Sequence, residues 1–110
     1  MTTTSFDRLA TESASTKRAT VVDGKRGVPA VHVATLACTP LDPLGGDEGI
    51  RLREVLETPH ELLQTFVAGE TDVREGDVLV VDGKDYPVRV VANWAGRVTH
   101  KRLAVEDLKL

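Results

Sequence analysis

The chain has 110 residues, 41% hydrophobic and 28% charged, with a formal net charge of −3 from 14 Lys and Arg against 17 Asp and Glu. This composition is globular rather than disordered, and the length supports one domain around one core. The acidic balance speaks against a phosphate-gripping surface, no apolar run reaches membrane-spanning length, and the single cysteine, Cys38, leaves no intramolecular disulfide to form.

Residues 1–15 are rich in Thr, Ser and Ala, with Phe6, Leu9 and Ala10 as the apolar anchors. They read as an extended N-terminal arm that a neighbouring subunit would order. The arm lacks the charged and apolar regions of a signal peptide, so the expectation is a soluble protein made in a cytoplasm. Residues 16–110 then form the folded domain. Thr16 to Val22 reads as a first strand, closed by the turn Asp23-Gly24-Lys25-Arg26-Gly27. Val28 to Cys38 is a second strand. Its two faces, Val31, Val33, Thr35, Ala37 and Ala30, His32, Ala34, Leu36, Cys38, are both fairly apolar, as in a strand inside a small barrel.

Residues 39–49 hold two prolines and three glycines, a content that sustains neither a ladder nor a helix, and form an inserted loop. A short helix follows over 50–57, with Ile50, Leu52, Val55 and Leu56 as its apolar side and Asp47 as N-cap; Gly49 weakens its first turn. Thr58-Pro59 breaks it. His60 to Ala68 is a third strand, and Gly69-Glu70-Thr71-Asp72 a turn.

The strongest local signal comes next. Asp82-Gly83 sits between two β-branched runs, and that dipeptide suits a tight hairpin turn needing positive φ. Tyr86, Val88, Val90, Ala92 and Trp94 share one face at period 2, with Arg89 and Asn93 on the other. Pro87 has no N–H and predicts an edge or bulge near the start of its strand. Ala95-Gly96-Arg97 connects a second hairpin, and Val98 to Leu108 is the last strand, with Leu103 and Val105 inward and His100, Arg102 and Glu106 facing water. The fold class is therefore mainly β: a small antiparallel β-barrel or sandwich with one short helix and a Pro/Gly-rich inserted loop.

Chemistry is sparse. His32, His60 and His100 fall on separate strands without metal-ligand spacing, so they read as locally bonded histidines. Cys38 lies between an apolar strand and a Pro-rich loop and reads as buried packing rather than a nucleophile. Neither GxGxxG nor GxxxxGK[ST] occurs, and Ser13 and Ser15 lack a nucleophile elbow. The expectation is no enzyme, no cofactor and no metal. Trp94 is read first as a cap on the core and second as an exposed interface anchor.

The run Ser15-Thr16-Lys17-Arg18-Ala19 to Asp23-Gly24, then Ala37-Cys38-Thr39-Pro40-Leu41, resembles the small head-to-tail connector proteins of tailed bacteriophages, nearest to the stopper or head-closure subfamily. Asp72-Val73-Arg74-Glu75-Gly76-Asp77, Val81-Asp82-Gly83, Tyr86-Pro87-Val88-Arg89-Val90 and Trp94 continue the likeness in order, so it spans residues 15 to 108. The resemblance implies a β-barrel subunit of a homo-oligomeric ring, hexameric or dodecameric, in the virion neck, made in the bacterial host cytoplasm. It implies a portal or adaptor protein above, a tail-joining or tail terminator protein below, packaged double-stranded DNA held non-specifically in the lumen, and no membrane partner. On this reading Asp42, Leu44, Gly45, Gly46, Asp47 and Glu48 form a channel-facing loop, while Phe6, Leu9, Arg51, Arg53 and Trp94 supply inter-subunit contacts. The isolated subunit is expected to be a monomer that forms its ring on a template. The alternative is a nucleic-acid-binding barrel of the SH3-like or OB type, against which the acidic balance counts.

Overall fold

The computed structural model describes residues 11–19, 21–22, 24–94 and 100–108. In chain order the elements are β1 (Glu12–Arg18), β2 (Val21–Val22), β3 (Lys25–Arg26), β4 (Ala30–Cys38), β5 (Asp42–Pro43), α1 (Gly46–Leu56), β6 (Glu61–Ala68), β7 (Val78–Val81), β8 (Lys84–Trp94) and β9 (His100–Asp107). Seven strands form one antiparallel sheet in the order β4-β1-β7-β8-β9-β6-β5, and β4 meets β6 again through Cys38 opposite Val67, so the sheet curls into a ring. β2 and β3 make a separate two-stranded ribbon. Among the described residues the architecture is the expected mainly β class, with one short helix.

The hairpin at Asp82-Gly83 forms as its residues dictate. Asp82 has φ 51° and Gly83 φ 74°, the paired positive values of a type I′ turn, whose twist matches that of the flanking strands. Val78 pairs with Pro87, the first rung of β7, and a bulge follows two residues later. At that bulge Val88 opposes Val105 and Val90 opposes Ala104, leaving Arg89 as the extra residue. This corrects the single face expected for β8. Tyr86 and Val88 lie on the main core, but beyond the bulge Val91 takes that side and Val90 turns to a second cluster.

The main core gathers Ala14, Cys38, Val67, Val73, Leu79, Val81, Val88, Leu103 and Val105 inside the curled sheet. The smaller cluster, Leu44, Leu62 and Ala104 with Leu52, Leu56 and Val90 against it, seats α1 on the outside of β6 and β9. Burying a Leu or Val side chain stabilises by about 1.5–3 kcal/mol, so these two clusters hold the fold.

Three expectations at the start of the chain change. Residues 12–15, expected in the arm, open β1, which lies between β4 and β7, with Ala14 buried. The strand expected over Thr16 to Val22 ends at Arg18 and resumes as β2. β4 sits at the end of the strand order, and of its nine residues only Cys38 is buried. Two register shifts against β1 give β4 its extra residues, and the Val33 N–H freed there donates to Thr16 Oγ1 at 3.2 Å. At the other end of the chain Glu106, expected in water, is buried, because α1 and the segment before β6 cover that face of β9. The Ala95-Gly96-Arg97 connection lies outside the described residues.

Candidate assembly surface

The inserted segment is more ordered than its prolines and glycines imply. Asp42 and Pro43 pair with Gln64 and Leu63 as β5, and the Leu44 N–H donates to the Leu62 carbonyl at 2.8 Å. Pro43 is tolerated because β5 is an edge strand. α1 then begins at Gly46, four residues earlier than expected. Its N-cap is Gly45, not Asp47, with no side-chain cap bond; Asp47 and Glu48 instead occupy the first turn, where a helix favours negative charge. Gly49 is a requirement rather than a weakness: it is buried, and a Cβ there would collide with the Leu44 carbonyl oxygen. The helix ends on Glu57 in the left-handed region (φ 53°), with Glu57 N–H donating to Glu54 O and Thr58 N–H to Arg53 O. Those bonds make a Schellman cap with a glutamate where glycine is usual.

Of the six residues expected to face a channel, Asp42, Gly45, Gly46, Asp47 and Glu48 are exposed. Leu44 is the correction: at 8% exposure it anchors the segment in the small core, because the turn from β5 into α1 drives its side chain toward Leu62. Glu48 is tethered by Arg102 Nη1 at 3.0 Å. Arg51 and Arg53 are exposed and form no ion pair among the described residues. Phe6 and Leu9 lie outside the described residues, as does the Trp94 side chain.

Two ionic clusters brace this frame. Arg18 donates through Nε and Nη2 to both oxygens of buried Asp77, each at 2.8 Å, and reaches Asp72 as well. Asp77 also accepts from the Arg74 N–H at 2.9 Å, and His32 Nε2 lies 2.7 Å from Asp72 Oδ2. Burial pushes the Asp77 carboxyl up, but Arg18 and the Arg74 N–H outweigh it and leave it below the usual range. The bond to His32, then that to Arg18, holds Asp72 down at about 2. In the second cluster Glu106 bonds His60 Nδ1 at 2.9 Å and Arg89, the bulge residue, whose Nη2 also reaches Leu56 O. Burial raises Glu106, and His60 and Arg89 more than offset it. Arg89 thereby ties the end of α1 to the sheet. Sequence reading missed both clusters; a charged residue at a bulge or beside a Gly turn is a weak signal until partners converge.

Cys38 is fully buried, and burial raises its thiol above the ordinary value. Among the described residues no three His, Cys, Asp or Glu side chains are placed to hold a metal ion. An open depression of about 560 Å³ bounded by Lys17, Gly83, Lys84, Asp85 and Leu108 has its lysines matched by acids, Lys17 to Asp85 and Lys84 to Asp107. Among the described residues the exposed large apolar side chains are Val28, just before β4, Val31 in β4, and Ile50 and Val55 on different sides of α1 (90%, 63%, 49% and 76% exposed). Of these, Val31, Ile50 and Val55 read in the sequence as residues of apolar, inward sides.

No protein-family model and no curated protein matches the chain. Among solved structures it is similar to the phage-like element PBSX protein xkdH from Bacillus subtilis, at 11% identity and a TM-score of 0.47, over 90% of this chain and 96% of that one.

Proposed function

We propose that this chain is a structural subunit of a tailed-phage neck, a stopper that assembles as a ring between portal or adaptor and tail and helps retain packaged DNA. The reading assigns it no catalytic activity. The observation that carries it is the insertion between β4 and β6: the connector-like motifs along residues 15 to 108 bracket one inserted segment, which is fastened at Leu44 and Gly49 and exposes Asp42, Asp47 and Glu48. Repeated around a ring, those carboxylates repel DNA phosphates, so the duplex slides without the salt-dependent attraction that Lys or Arg walls would create. Fixing the segment to β6 keeps it in one place relative to the sheet while leaving its acidic side in solvent.

The test is the mass of the purified protein alone and with portal and adaptor assemblies. A monomer alone and a ring on the preassembled partner is the expected pair of results. Nanomolar, steeply salt-dependent binding to nucleic acid in a filter assay, without any ring on the partner, would replace this reading with the SH3-like or OB-type barrel.

A further inference from the structure

We propose that His32 and Asp72 form a pH-dependent latch across the open seam of the curled sheet, closed when His32 is charged and loosened when it is neutral.

The seam lies between β4 and β6. Among the described residues backbone bonds close it only at its Cys38 end, where Cys38 opposes Val67 and the Thr39 N–H donates to Phe66 O at 3.1 Å. From there to its start β4 has β1 alone beside it, in a ladder broken by two register shifts. Among the described residues His32 is the side chain of Ala30–Thr35 that hydrogen-bonds another element, with Nε2 2.7 Å from Asp72 Oδ2.

The two jaws differ in stiffness. Asp72 sits in a turn tied down from several sides. Lys101 Nζ of β9 donates to Thr71 O at 2.6 Å, the Thr71 N–H to Ala68 O and the Arg74 N–H to buried Asp77, while Val73 belongs to the main core. Arg18, at the end of β1, is fixed on both Asp77 oxygens. The start of β4 is the movable jaw: Ala30, Val31, His32, Ala34 and Thr35 are all exposed.

The charges around the imidazole set the sign. Facing it are the carboxylate of Asp72 and, near enough to feel its charge, that of Asp77. Asp72 is also approached by Arg18 from β1 at 3.3 Å and by Arg74 from its own turn at 3.6 Å. From β9, Lys101 is engaged by the Thr71 carbonyl, and β4 brings no other charge. Asp72, held at about 2 first by His32 and then by Arg18, stays a carboxylate throughout the range in which a histidine titrates. A neutral His32 offers this carboxylate one N–H beside two guanidinium groups. A charged His32 makes a bond with charge on both sides, roughly twice as strong. By linkage, a contact that closes on the protonated ring is favoured as pH falls and released as it rises. Release bares the edge of β4, a row of N–H and C=O groups on which another strand can build.

The test is hydrogen–deuterium exchange of the full chain at about pH 5.5 and about pH 7.5, each amide corrected for its intrinsic rate. Protection over residues 30–36 should rise about fivefold at the lower pH, while that of Val78–Val81 stays level. High salt should shrink the rise. His32→Gln, which cannot take a charge, and Asp72→Asn should each abolish it, with the β7 amides showing that both variants are folded. In the parent protein the His32 ring signal in an NMR titration should move together with the β4 protection. A rise that survives either substitution, a rise shared equally by β7, or a titrating His32 with no change in β4 would overturn the latch.

Discussion

β7 and β4 are both apolar strands, yet the first is half core and the second is buried only at its last residue. In Val78–Val81 Leu79 and Val81 are buried, whereas in Ala30–Cys38 only Cys38 is. Their composition does not separate them; their neighbours do. β7 has β1 on one side and β8 on the other, inside the curl, while β4 pairs with β1 along its length and with β6 through Cys38 alone. Hydrophobic sequence is thus permission for burial, and the strand order decides whether it is used. Val31 of this edge strand stays exposed and Val33 only half-buried, since no further strand covers them.

The sharpest break of that comparison is a matched truncation. Leu79→Ala should lose about 3 kcal/mol of stability in urea unfolding, through lost burial and the cavity left behind. Val31→Ala should change it by less than about 0.5 kcal/mol. Equal losses would mean β4 is packed as deeply as β7.

Next comes the buried carboxylate beneath β1. Asp77→Asn leaves Arg18 facing Asp72 alone and should cost about 2 kcal/mol at neutral pH. Because Asp77 and Glu106 titrate below their unfolded values, their contribution is present above the unfolded carboxylate pKa and disappears as pH falls through the depressed ones. Asp77→Asn should therefore flatten the acid side of the stability curve. An unchanged curve would remove Asp77 from the account.

Gly49→Ala separates helix propensity from packing. An exposed helical glycine gains up to about 1 kcal/mol on this change, but here the Leu44 carbonyl blocks the new Cβ, so a net loss of about 1–2 kcal/mol is expected with reduced helical circular dichroism. The smallest effect is at the other end of α1. Glu57→Gly relieves a left-handed residue and should stabilise by about 0.5 kcal/mol, read as a slightly higher midpoint.

Legibility followed locality. The Asp82-Gly83 turn and the mainly β class need only neighbouring residues, and they stood in the sequence plainly. Pro87 announced an edge or bulge near the start of β8, but not its place at Arg89 or the change of face after it, since the period-2 run of Tyr86, Val88, Val90 and Ala92 looks unbroken until Val105 and Ala104 fix the register opposite. Asp42-Pro43 became a strand only because β6 offered an unfilled edge, and Gly49 looked like a defect until Leu44 was beside it.

What the sequence determined by itself was the set of local conformations: where positive φ is cheap, where the backbone alternates, where a helix must stop. What the tertiary structure decided was exposure. Val31, Ile50 and Val55 read as core and lie in solvent, and Glu106 reads as surface and lies buried, because burial depends on which distant strand or helix arrives to cover a side chain.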